Sequence, residues 1–126
     1  MTVTPADDGL TGRCTLGIAH EGPPGYGHGG MSAMLLDELM GCACAAAGTP
    51  GLTVSLRMRY HRPVPLETPL RVFARVTGTD DRKIFVTGSI TTEADAAVRL
   101  VTADGVFIAP GPERAQALFP GLRADP

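Results

Sequence analysis

An α+β fold, one long helix against an antiparallel sheet, is the class this chain predicts. Three observations predict it: a single long helical stretch from Met31 to Ala47, a change to two-residue alternation after Pro50, and later strands joined by connections too short for crossover helices. At 126 residues the chain has one domain's length, and roughly two-thirds of its unfolded surface can be buried without disulfide or metal support.

Taken in order, Met1–Gly12 is polar and is expected to be a peripheral tail. It has neither the basic start nor the apolar run of a signal peptide. A short strand is expected around Arg13–Ala19, before a Pro- and Gly-rich loop from Glu21 to Gly30. MSAMLLDELMGCACAAAG then favours helix through its Ala, Leu, Met and Glu content, with Gly48 and Pro50 as the stop. Apolar residues cover nearly every side of this helix, which predicts that other structure wraps it. Leu52, Val54, Leu56, Met58 and Tyr60 alternate with Thr53, Ser55, Arg57 and Arg59, as in a half-buried strand. The prolines of HRPVPLETP end that strand. Further strands are predicted over Leu70–Thr77, Ile84–Thr92 and Val98–Ile108, the last bulged or bent near Asp104-Gly105. From Pro110 the chain is expected to form a second peripheral tail with a short helix over Glu113–Leu118. Such a sheet keeps exposed edges, and pairing two copies would hide one of them, so a homodimer is expected.

Composition narrows the function classes. With 44% apolar and 19% charged residues the chain is not a disordered one. A net charge of −2 offers no bulk attraction to nucleic acid or to an anionic membrane. The longest apolar run is interrupted by Ser32, Asp37 and Glu38 and is too short and Ala-rich for a membrane span. Cys14, Cys42 and Cys44 are odd in number, which fits reduced thiols in a cytoplasmic protein. Cys42 and Cys44, two apart on a helix, diverge; they are expected to be small core residues, with no metal and no cofactor.

Chemistry concentrates in GPPGYGHGGMSAMLLDELMG. Gly27, Gly29 and Gly30 flank His28 where a loop becomes a helix. Such a start exposes backbone N–H groups with partial positive charge, a suitable place for a developing oxyanion. Asp37 puts an ionisable group inside an apolar helix, which costs free energy unless it is paired or functional. At 100° per residue it shares its side with Gly30, Ala33, Met34, Gly41 and Cys44, all small except Met34. Glu38, a quarter turn away, is the rival carboxylate. The alternative is an acid satisfied structurally by backbone N–H groups or by Arg57 or Arg59. His28 has a structural alternative too, donating to a backbone carbonyl in the loop it shapes.

HGG with an Asp nine positions after its His resembles the PaaI-like branch of the hotdog-fold thioesterases. EGPPGYGHGG is similar to the corresponding loop of the mammalian thioesterase-superfamily members. The likeness runs on through LTVSLRMRYHRPVP, DDRKIFVTGSI and the final strand, roughly Gly22 to Ala109. It implies a hotdog fold, active sites at a homodimer interface and often a dimer of dimers. It implies hydrolysis of an acyl-CoA thioester, with Asp37 the catalytic acid acting as base or nucleophile. His28 and Gly29 match the pair near the thioester carbonyl, Gly29 N–H being the oxyanion donor. Thr53 matches a Ser or Thr that some members bring to the acid from the partner subunit, and its parity with Ser55, Arg57 and Arg59 suits a strand at a subunit boundary. Gly30 and Met34 would line the substrate site. Arg62, Arg82 and Lys83 would meet the CoA phosphates, with Arg57 and Arg59 next. One departure stands out: where some relatives carry an Asn or Gln before the His, this chain has Gly22, Pro23 and Pro24. The alternatives are an acyl-ACP thioesterase and a non-catalytic acyl-CoA-binding dimer; a hotdog hydratase lacks its Asp–His segment here.

Overall fold

The computed structural model describes residues 1–118 and Pro120. A six-stranded, wholly antiparallel sheet wraps one side of a central helix, as the sequence predicts. Its strands are β1 (Thr2–Ala6), β2 (Gly9–Thr15), β3 (Leu52–Tyr60), β4 (Pro69–Asp80), β5 (Lys83–Thr92) and β6 (Val101–Ile108), in the spatial order β1-β2-β4-β5-β6-β3. The central helix α1 spans Gly29–Ala46, and a short α2 spans Pro112–Leu118. The rest of the C-terminal tail lies outside the described residues.

Local chemistry sets the ends of α1. His28 is its N-cap, with an extended backbone and a ring that accepts the Gly30 N–H. At the other end Gly48 takes φ 87°, a conformation that favours glycine. Its N–H reaches Ala45 O and the Thr49 N–H reaches Cys44 O, both at 3.0 Å, so a Schellman turn satisfies the last carbonyls.

The buried face of α1 is Leu35, Leu36, Leu39, Met40, Ala43 and Cys44, set against Val72, Ala74, Val86, Ile90, Ala103 and Phe107 of the sheet. Each large side chain buried here contributes about 1.5–3 kcal/mol. Close approach depends on small residues beneath the helix. A Cβ on Gly88 would meet Leu36 Cδ2 at 2.9 Å and Phe73 O at 3.1 Å, and one on Gly105 would meet Met40 Cε at 2.7 Å. Gly105 therefore marks helix contact; the expected bulge is absent, since pairing runs unbroken through Asp104 and Gly105 on both sides.

Several expectations change. The 1–12 segment supplies β1 and the start of β2, and the strand expected at Arg13–Ala19 lies earlier. Pro5 is tolerated because β1 is an edge strand. β3 does not neighbour β4: residues 61–68 carry the chain across the sheet end, and β3 pairs with β6 as the opposite edge. Nor is α1 wrapped all round. Met34 is 55% exposed, and Glu38 and Cys42 are exposed as well. Cys42 is thus no core residue: it lies four residues on from Glu38 and eight from Met34, on the strip of α1 that the sheet leaves uncovered. No helix among the described residues is long and apolar enough to cross a membrane.

Candidate active site

The loop before α1 is built to deliver its first turn. Gly27 N–H donates to Val64 O at 2.7 Å and His28 N–H to His20 O at 2.8 Å, while Tyr26 N–H closes a tight turn on Pro23 O. His28 Nδ1 then accepts the Gly30 N–H at 2.8 Å. This corrects the structural reading of His28 as a donor to a carbonyl: the ring is a helix cap, and Nδ1 must be unprotonated to serve as one. The cap occupies Gly30 N–H, whereas Gly29 N–H has no partner among the described residues. It is the first helical N–H, so the helix offers it none.

Tyr60, at the far end of β3, fastens this turn. Its hydroxyl donates to Gly29 O at 2.8 Å. A cavity of about 350 Å³ opens here, lined by Gly29, Ser32, Tyr60, His61, Arg62 and Val64 among others. Sequence reasoning missed Tyr60 as a site residue, reading it only as the last apolar position of a strand. The signal available was its place at the head of the Tyr60-His61-Arg62-Pro63 run that closes the strand.

Asp37 lies two turns further along α1 and is half-buried. Its Oδ1 accepts the Thr53 hydroxyl at 2.7 Å, a short, charge-assisted bond. The cost assumed for a fully buried acid is thus largely avoided, and neither Arg57 nor Arg59 satisfies it. Thr53 reaches Asp37 within one chain and from the helix side of the sheet, contrary to the parity reading. The cause is a bulge between Thr53 and Ser55. Thr53 pairs with Phe107, whose side chain is buried under α1, while Ser55 pairs with Val106 on the outer face. Val54 is the extra residue and is 61% exposed.

The nominated substrate residues divide between two ends of the sheet. Arg62 joins Gly29 at the cavity. Gly30 and Met34 are exposed on α1. Arg82 and Lys83 occupy the β4–β5 turn, at the end where β3 begins: Lys83 pairs with Ile108, which also pairs with Leu52. Gly29 and Asp37 are eight residues apart on one helix, about 12 Å along its axis. One protomer therefore cannot apply its own Gly29 N–H and its own Asp37 to the same carbonyl.

A helix laid across an antiparallel sheet, with a capped Gly-rich start and a hydroxyl-bound carboxylate, defines a hotdog thioesterase framework. The chain belongs to the thioesterase superfamily, whose family model matches residues 24–98. Among named relatives, mouse acyl-coenzyme A thioesterase THEM4 is 31% identical over 98 residues, covering 78% of this chain and 42% of that protein. Human acyl-coenzyme A thioesterase THEM5 is 28% identical over 88 residues, covering 70% and 35%. The chain thus spans about two-fifths of the length of the curated relatives it matches. A thioesterase superfamily protein of known crystal structure is 42% identical, with TM-score 0.75, covering 79% of this chain and 48% of that one. A hypothetical thioesterase from Streptococcus pneumoniae TIGR4, solved with coenzyme A, superposes with TM-score 0.79 at 17% identity, covering 87% and 88%; that likeness concerns the fold.

Proposed function

We propose that the protein hydrolyses acyl-CoA thioesters at sites shared between two copies of the chain. The observation that carries this is the Asp37 carboxylate held at 2.7 Å by Thr53, on a helix whose first N–H is free among the described residues. Related proteins lend support: THEM4 and THEM5 are named acyl-coenzyme A thioesterases, and the pneumococcal protein was crystallised with coenzyme A. That protein has also been solved with an aspartate and, separately, a threonine replaced by alanine. Those two positions are sixteen apart, the separation of Asp37 and Thr53.

In this reading the Gly29 N–H of one copy polarises the thioester carbonyl, and the Asp37 of the other acts. As a base, Asp37 removes a proton from water as the oxygen attacks; as a nucleophile, its carboxylate attacks directly and water later releases the acid. Either way the tetrahedral oxyanion collapses by expelling CoA thiolate. A thiol's ordinary pKa is about 8.5, so departure needs little acid assistance. Thr53 orients the carboxylate, and Arg62, Arg82 and Lys83 attract the phosphates. In this reading two copies pair through the open β3 edge as a homodimer, which can pair again.

Free-thiol release across an acyl-CoA panel tests the reading, with Asp37→Ala, Asp37→Asn and Thr53→Val in parallel. Loss of about 10²–10⁴-fold is expected for the Asp37 variants, with a smaller fall for Thr53→Val and recovery in Thr53→Ser. Activity that survives both Asp37 substitutions would exclude its role. Measurable CoA binding without turnover of any CoA or carrier-protein thioester would instead favour a binding protein. Sizing across concentrations tests the dimer.

A further inference from the structure

The sheet face turned away from α1 is basic, although the chain as a whole carries a charge of −2. Strand register aligns Phe73, Ser89, Thr102 and Arg59 in one row and Arg75, Thr87, Asp104 and Arg57 in the next. At about 4.8 Å per strand, the first row is roughly 14 Å long. Between them lies a cavity of about 400 Å³. Half-buried Phe73, Thr87, Ser89 and Thr102 form its floor, and exposed Arg59, Arg75, Arg99 and Asp104 its rim.

The charges on that rim are poorly answered. Arg75 approaches Asp8 at 3.8 Å with both side chains well exposed, a pair of little consequence. Arg59 and Arg99 have no ion pair among the described residues. Three guanidinium groups against the single carboxylate of Asp104 leave the cavity cationic. On its floor Thr87 Oγ1 donates to Ala103 O and Thr102 Oγ1 is bonded to His61 Nε2, whereas Ser89 Oγ is free among the described residues. One row beyond, Arg71 and Thr91 stand opposite each other. Arg71 Nε and Thr91 Oγ1 are both buried without a partner, and Thr91 is only 7% exposed. Neither residue lines the cavity, so the groove's own case rests on its arginines and on Ser89.

We propose that this outer groove binds a phosphate ester of nucleotide size, its phosphates on Arg59, Arg75 and Arg99 and its base against Phe73. Guanidinium forks match phosphate oxygens in pairs. Arg59 on β3 and Arg75 on β4 stand on opposite sides of this face, three strand spacings or about 14 Å apart, and a bare phosphate would span too little of that gap to meet both. A nucleotide spans it, and the half-buried ring of Phe73 offers a flat surface for stacking. Two sources share this chemistry. One is the nucleotide end of a CoA thioester whose acyl end lies at Asp37, which rests on the proposed reaction and would seat the phosphates in this groove in place of Arg62, Arg82 and Lys83. The other is a free nucleotide bound independently of it.

Calorimetric titration of the full chain with adenosine 3′,5′-bisphosphate tests the groove, comparing wild type with Arg59→Gln/Arg99→Gln after thermal melts confirm folding. Binding that weakens with added salt, and that falls tenfold or more in the variant, is expected. Kinetics then separate the sources, with an acyl N-acetylcysteamine thioester as the phosphate-free reference. A KM raised for the acyl-CoA relative to that reference identifies the substrate's own nucleotide. Lost bisphosphate binding with no such relative change identifies a free one. If no thioester is turned over, the reaction fails while the titration still decides the groove. No bisphosphate uptake by wild type, or equal uptake by the variant, overturns the proposal. So does a variant impaired only toward an acidic carrier protein.

Discussion

Replacing Gly29 by proline separates the backbone chemistry of the helix start from its stability. The substitution deletes one atom group, the free N–H, at a position where the fold does not use it. His28 before it sits at φ −64°, ψ 137°, the extended conformation that a residue preceding proline prefers. The first helical position is also where proline is most at home. A Cβ at residue 29 would lie 3.5 Å from Tyr60 Cε1, an ordinary contact. Proline should therefore stabilise the fold by about 0.4–1 kcal/mol through a stiffer unfolded chain. With an unfolding entropy of about 2.1 cal/mol/K per residue, that is a rise of roughly 2–4 °C in Tm for this chain. Turnover should move the other way, falling about 10²–10³-fold in kcat as one oxyanion donor is lost. Calorimetry and thiol release on the same preparation read both quantities. Mixing Gly29→Pro with Asp37→Asn adds a second reading. In a mixed dimer one of the two shared sites keeps both groups, so random exchange should restore about a quarter of wild-type activity. A folded Gly29→Pro protein that hydrolyses acyl-CoA within a few-fold of wild type would refute the oxyanion role; no recovery on mixing would refute the shared site.

Other perturbations follow from the same geometry. His28→Ala removes the cap on Gly30 N–H and should cost about 1 kcal/mol, whereas His28→Asn should recover most of it; thermal melts of the pair check this. Gly88→Ala drives a methyl against Phe73 O and Leu36 and should destabilise by about 1–3 kcal/mol. Gly41→Ala, whose Cβ would meet only Phe107 Cε2 at 3.9 Å, should stabilise by up to about 1 kcal/mol; denaturant titration that gives both the same sign would contradict the packing described. Burial pushes the Cys44 thiol up to about 11 from an ordinary value of 9.0, so at pH 8 a thiol reagent should modify exposed Cys42 and spare Cys44, as peptide mapping would show. Because folded Cys44 keeps a proton that the unfolded chain releases, stability should decline as pH climbs from about 9 to about 11, and be indifferent to this group below that window.

The sequence exposed those elements whose pattern and physics coincide. β3 is found at its predicted limits because Leu52–Tyr60 alternates cleanly and prolines follow it. The end of α1 was legible in Gly48. β1 was not, since TVTPA at a sheet edge buries nothing that would impose a period. The β3-to-β4 crossing was hidden too: residues 61–68 look like a turn, and only the pairing of β3 with β6 reveals a traverse. In the site, Asp37 was legible as an anomaly in an apolar run, and glycines marked the helix start. Thr53's orientation was not, because a bulge leaves no reliable trace in residue types. Tyr60's bond to Gly29 joins residues 31 apart, a distance no local pattern spans.

The extra residue at Val54 works like a frameshift. Counting back from Ser55 by strict alternation would turn Val54 toward Asp37 and send Thr53 outward. The added residue restores Thr53 to the acid without itself touching it. Its side chain is therefore not needed to hold the acid, while the number of residues is. Polar substitutions at Val54 should leave the Thr53–Asp37 bond in place, and a further insertion between Thr53 and Ser55 should leave the acid facing an isopropyl group or a bare backbone. At this position spelling matters less than length, so a comparison of relatives that scores residue identities and overlooks gaps will misjudge which of them keep the pair.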